Sequence, residues 1–231
     1  MTYRQRTILA GAMIVIFLAL GMAFLGVRSP ISAESSSTNS SSEVKDKILE
    51  GKNILFVIAP ENFRDEELFD TRKYLTNWGA KTKVVSTVVE PVRGMLGATV
   101  KPDGLIADEK AENYDCIVFV GGSGATVLWD NLDVRKLVQN AYGLKKVIAA
   151  ICLAPVILAR AKILGDCQAT VFHSAKKEII KSGAKYVDTP VVRCGNIITA
   201  NGPSAIPQFA QKIKDALLEE NLDKSRPKNE K

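Results

Sequence analysis

The sequence is poor in the residues that build metal and nucleotide sites. It has one histidine, His173, and four cysteines, Cys116, Cys152, Cys167 and Cys194, scattered along the chain. Without paired Cys/His spacings no familiar zinc site can form, and no metal is expected. The glycine-rich "GGSGAT" (121–126) lacks the third glycine of a dinucleotide fingerprint and follows the third apolar run, which argues against a nucleotide cofactor. A basic face is lacking too. The net charge of +6 sits at the ends: Arg4, Arg6 and Arg28 have no acid among them, and the tail "DKSRPKNEK" is positive. The middle is close to neutral, so nucleic acid is not an expected partner. There is no internal repeat.

Charge is also missing from Ile8 to Val27, a length that spans a bilayer as a helix. Residues 1–30 therefore read as a transmembrane anchor or a signal segment. Bulky Ile31 spoils the cleavage site ending at Ala33, which favours an uncleaved anchor. Arg4 and Arg6 favour a cytoplasmic amino terminus and an extracytoplasmic domain; secretion after signal cleavage is the alternative. Residues 31–50 are a Ser-rich linker that contains the sequon Asn39-Ser40-Ser41. Residues 51–222 are the folded domain and 223–231 a disordered charged tail. A composition of 46% apolar and 24% charged residues supports a full core.

Within the domain, apolar runs alternate with helical spacing. "NILFVIAP" (53–60), "KTKVVSTVV" (81–89), "YDCIVFVGG" (114–122), "KKVIAAI" (145–151) and "QATVF" (168–172) read as strands. "DEELFDTRKYLTNWG" reads as a helix capped by Asp65 and stopped at Gly79; helices also follow over 133–143, 153–164, 175–183 and 204–220. "EPVRGMLGATVKPDGLI" reads as turns and short extended pieces, and 185–200 as a hairpin-like pair around Gly195. The pattern implies an α/β fold with helices on both faces of a parallel sheet.

Such sheets react at the carboxyl ends of their strands. That rim collects Glu66 and Glu67, Gly121 and Gly122, Cys152, and His173. A strand, then Cys152, then a helix reads as a nucleophile elbow, and a helix start would favour thiolate. Equally, Cys152 can be one more small hydrophobe. Gly121-Gly122 could present N–H groups to an oxyanion, or merely turn the chain. The two glutamates could exchange protons with the thiol, or simply sit well at a helix start. His173 could polarise a carbonyl, or be a packed strand-end residue. Cys116 reads as core; Cys167 and Cys194 could pair if the domain lies outside the cell.

"FRDEEL", "FVGGSGA", "AAICLAPVILARA" and "IITANGP" together resemble the ThiJ/PfpI superfamily, also called the DJ-1/PfpI family, from about Asn53 to Leu218. The resemblance implies a flavodoxin-like three-layer sandwich with a mostly parallel sheet, commonly a homodimer, and no cofactor. It implies a reactive Cys152 hydrogen-bonded to a buried, protonated Glu67, with Glu66 more exposed. His173 falls where glyoxalase-like members place a pocket histidine. The expected activity is that of a glyoxalase III-like lyase or deglycase-type hydrolase acting on a small carbonyl such as methylglyoxal, with Gly122 and Leu153 holding the oxyanion. The alternative is a redox-sensing or chaperone-like stress module. Peptidase members carry histidine directly after the cysteine; Leu153 stands there and disfavours peptide hydrolysis.

Overall fold

The computed structural model describes residues 47–225, with side chains through Glu219. The apolar segment, the linker through residue 46 and the tail beyond residue 225, and with them the anchor reading, lie outside the described residues; residues 48–50, read as linker, form a turn that buries Leu49. Among the described residues no helix is long and apolar enough to cross a membrane.

The first run forms β1 (Asn53–Val57), and "DEELFDTRKYLTN" forms α1 (Asp65–Asn77). Next come β2 (Lys81–Ser86), the two-residue pair β3 (Val92–Arg93) and β4 (Thr99–Val100), and β5 (Gly104–Leu105). β6 (Cys116–Phe119), α2 (Leu132–Gly143), β7 (Val147–Ile151) and α3 (Pro155–Arg160) make the centre. β8 (Gln168–Ala169), α4 (Lys176–Lys181), β9 (Lys185–Tyr186), β10 (Val191–Cys194), β11 (Ile197–Ala200) and α5 (Ile206–Ser225) complete the chain.

The main sheet runs β10-β11-β7-β6-β1-β2-β5, parallel except for the β10–β11 hairpin. Its strands alternate in register. Leu55, Val57, Ile117, Phe119, Ile148 and Ala150 face a core closed by α2, α3 and α4. Ile54, Phe56, Cys116, Val118, Val147 and Ala149 face the core closed by α1 and α5. Both faces are covered, which is why these strands read as continuous apolar runs. The result is the three-layer α/β sandwich that the sequence pattern implies, and Cys116 is fully buried in it.

Two readings are corrected. "QATVF" is not a strand of the main sheet: only Gln168–Ala169 is extended, and it pairs with β9 in a separate ribbon. The place beside β7 is taken by β11, whose four residues are all buried. Asp65 is the first helical residue rather than the cap, and Arg64 takes the cap position without a side-chain bond. The Asp65 carboxylate instead accepts the N–H groups of Leu96 and Ala98, at 2.8 and 2.9 Å. That fixes the β3–β4 connection beside the first loop.

Candidate active site

β7 ends at Ile151, and the chain turns sharply at Cys152 before α3 begins at Pro155. Cys152 has φ 62°, a left-handed conformation that an ordinary side chain adopts only where its surroundings hold it. They do so from two sides. Cys152 N–H donates to Ala200 O, and Phe172 N–H donates to Cys152 O, each at 2.9 Å. The residue is 7% exposed.

Glu67 comes from the first turn of α1 and is fully buried. Its Oε2 accepts the Gly121 N–H at 2.9 Å, while Oε1 is buried and meets no nitrogen or oxygen partner. Gly121 separates the two side chains closely: a Cβ there would lie 2.5 Å from Cys152 Cβ and 2.7 Å from Glu67 Oε2. Only glycine fits. Gly122 follows at φ 98°, against the backbone of Asn62 and Arg64. The N–H groups of Gly122 and, more weakly, Leu153 favour negative charge on the Cys152 sulfur.

These neighbours decide the proton balance. Burial pushes Glu67 up from 4.5 to about 7, against the Gly121 N–H and the Cys152 contact, which pull it down. Burial, then the charge of Glu67, push Cys152 up to about 12, against the pull of the Gly122 N–H. A lowered thiol pKa, expected from a helix start, is therefore not what the fold delivers. α3 has six residues and begins three positions beyond the thiol, and burial in a low-dielectric site outweighs its dipole. The pair titrates as a unit that keeps one proton over the interval between its two steps. A carboxylate poised near neutrality beside a buried thiol has the proton affinity a general base needs, and the two peptide N–H groups can stabilise charge on sulfur.

The predicted residues thus separate. Cys152, Glu67, Gly121, Gly122 and the Leu153 backbone converge. Glu66 is half-exposed and pairs with Arg64, Oε2 to Nε at 2.8 Å. His173 reaches the elbow only through its neighbour's backbone; its ring is exposed and lies against Phe172, centroids 4.2 Å apart. Arg64 was not singled out in the sequence, yet its pKa is raised by its hydrogen bond to Glu66 and, more weakly, by the charges of Glu67 and Cys152. The "FRDEEL" motif contained it. Trp129, which donates its indole N–H to Leu153 O at 3.0 Å, was missed as well. Cys167 and Cys194 form a disulfide, Cα atoms 5.7 Å apart. Among the described residues no three His, Cys, Asp or Glu side chains converge as a metal site needs.

A mostly parallel three-layer sandwich with a buried glutamate behind a strained cysteine elbow defines a class of proteins. The sequence profile of the DJ-1/PfpI family matches residues 52–216, and the chain belongs to that family. An uncharacterized protein of Methanocaldococcus jannaschii is 40% identical over 183 residues, 78% of this chain and 89% of that one. The glutathione-independent glyoxalase DJR-1.2 of Caenorhabditis elegans is 29% identical over 166 residues, 72% of this chain and 89% of its own. Among solved structures, the ThiJ/PfpI domain protein of Brachyspira murdochii superposes with a TM-score of 0.71 at 36% identity, covering 73% of this chain and 99% of that one.

Proposed function

We propose that the protein is a cofactor-independent cysteine enzyme of the glyoxalase or deglycase type, acting on small reactive carbonyls such as methylglyoxal. The observation that carries this reading is the pairing of Glu67, raised to about 7, with a thiol that faces two peptide N–H donors. Cys152 sulfur bonds to the aldehyde carbon, and its proton passes to Glu67. The oxyanion takes the N–H groups of Gly122 and Leu153 and is then protonated, giving a hemithioacetal. Glu67 removes the proton from the former aldehyde carbon and returns it to the neighbouring, former ketone carbon, whose oxygen becomes a hydroxyl. Water hydrolyses the resulting thioester, releasing a 2-hydroxy acid and restoring the thiol. No net electron is gained or lost. His173, at the exposed rim, assists at most the proton transfers at the outer carbon. The C. elegans relative, named as a glutathione-independent glyoxalase, supports the same chemistry.

The test is lactate formation from methylglyoxal by the full-length chain. The wild type should produce lactate, and Cys152→Ala should produce none; equal turnover by the two sinks the mechanism.

A redox role for the same thiol has one observation in its favour. Glu67 Oε1 is buried without a nitrogen or oxygen partner, and in its protonated form it could donate to a sulfinate oxygen on Cys152. Mass spectrometry after mild peroxide should then find Cys152 oxidised ahead of Cys116.

For location, the uncharged stretch from Ile8 to Val27 and the Cys167–Cys194 disulfide, of a kind that persists in oxidising compartments, support an anchored extracytoplasmic domain. Protease accessibility of the domain in intact cells tests this. A homodimer is supported by exposed apolar side chains beside the site: Phe69, one helical turn beyond Asp65, and Met95 and Leu96 on the loop that Asp65 holds. Light scattering of wild type and Leu96→Lys tests that.

A further inference from the structure

The segment from Gly122 to Trp129 meets the elbow at both of its ends. At the first end, the Gly122 N–H favours negative charge on the Cys152 sulfur. The chain then makes the 3-10 turn Ser123–Leu128. At the far end, the Trp129 indole N–H donates to the Leu153 carbonyl at 3.0 Å. Leu153 is the residue whose own N–H, more weakly, also favours that charge. One short strap therefore carries one donor and grips the residue that carries the other.

The strap is held firmly. Gly124 N–H donates to Asn62 O at 3.0 Å, and a Cβ on Gly124 would run into the Glu61 carbonyl. Trp129 is gripped from outside by Arg160, whose guanidinium carbon is 5.1 Å from the ring centroid. Arg160 is itself ion-paired with Asp130, and with Glu178 at 2.9 Å. It is the last residue of α3, the helix that the elbow feeds. Trp129 packs with the α2–α4 layer, whereas Cys152 packs with the α1–α5 layer. The indole thus supports the turn without being one of the reacting groups.

We propose that Trp129 is a positioning residue: its indole N–H fixes the Leu153 carbonyl and so holds the Leu153 and Gly122 N–H groups at the spacing where both reach Cys152 sulfur. The turn needs such a hold, because Cys152 at φ 62° is in a conformation that relaxes if its surroundings loosen. The proposal rests on Cys152 being the reactive thiol, and not on which carbonyl it attacks.

The experiment is the rate of Cys152 alkylation by iodoacetamide as a function of pH, on the full-length wild type, Trp129→Phe and Trp78→Phe. Trp129→Phe keeps a ring and loses the N–H. It should slow alkylation about tenfold near neutral pH, as weakening one hydrogen bond to a charged sulfur does, and move the pH profile upward. Trp78→Phe removes the other indole N–H, at the end of α1 and outside the site, and should follow the wild-type profile. A folded Trp129→Phe variant with the wild-type profile overturns the proposal. If that variant does not fold, the wild type decides: the indole N–H cross-peak of Trp129, distinguished from Trp78 by Trp78→Phe, should titrate with the alkylation midpoint and stop doing so in Cys152→Ser. A peak insensitive to pH overturns the proposal. Fast alkylation without lactate formation by the wild type overturns the carbonyl reading alone, with the Trp129 comparison still deciding this one. A wild-type thiol inert to alkylation overturns both.

Discussion

Replacing Glu67 by Gln keeps the shape of the buried side chain and removes its proton chemistry. In the wild type the first proton leaves the Cys152–Glu67 pair near the Glu67 value of about 7. In Glu67→Gln the thiol must ionise alone, from an ordinary value of 9.0 raised further by burial. Near pH 7 about half of the wild-type Glu67 carboxyls are ionised and can take the thiol proton as sulfur attacks, which a glutamine cannot do, so alkylation of Cys152 should fall by roughly 100-fold. The same carboxyl leaves a mark on stability. Its folded value lies above its ordinary 4.5, so the unfolded chain ionises first as pH rises. The contribution is fully present below about 4.5 and is lost as pH rises through about 7, a difference of about 3 kcal/mol. Wild-type stability should therefore decline between those limits, and Glu67→Gln should flatten the decline. Alkylation rates and urea midpoints across pH measure both effects. A Glu67→Gln profile that overlays the wild type in reactivity would refute the claim that Glu67 governs the thiol.

Gly121→Ala places a methyl carbon 2.5 Å from Cys152 Cβ and 2.6 Å from Ile151 O; a loss of about 1–3 kcal/mol is expected, with alkylation of Cys152 changed more than global unfolding, both read on one preparation. Cys167→Ser with Cys194→Ser opens a link between residues 27 apart in sequence and should cost roughly 3–4 kcal/mol by chain entropy; wild type treated with reductant should move to the same urea midpoint. Asp65→Ala leaves the Leu96 and Ala98 N–H groups without their acceptor. It should destabilise by about 2 kcal/mol and raise hydrogen exchange first in residues 94–98.

The layers and the elbow were legible because each is written locally. Apolar runs of strand length separated by helical spacing leave little choice but a covered parallel sheet, and "AAIC" before "LAP" puts a cysteine where a strand must turn into a helix. Glu67 was legible only through the resemblance of "EEL" to a family motif; spacing alone does not distinguish it from Glu66, and only burial separates the two, 0% exposed against half-exposed. What failed was long-range. "QATVF" carries a strand's residues, but β11 competes for the same ladder and is buried throughout. Asp65 looks like a cap until residues 96 and 98 come to it from the next hairpin. Trp129 lies 24 residues from its partner Leu153, and nothing in its local sequence announces a hydrogen bond to an elbow.

The thiol's environment also corrects a common inference from sequence. A cysteine before a helix suggests a lowered pKa, yet here the helix is short and begins beyond the turn, while the sulfur is buried beside a carboxyl. Three contributions then compete. Desolvation and the Glu67 charge hold the proton on the pair, and the two N–H groups of Gly122 and Leu153 favour releasing it from sulfur. The first two are fixed by burial, which a rigid core of Gly121, Ile151 and α1 makes hard to change. The third depends on two peptide groups whose spacing is set by a single strap ending at Trp129. Reactivity at this site therefore depends on the geometry of its backbone donors as well as on the Glu67 side chain. For the same reason, the loss of one indole N–H on another element should be felt at Cys152.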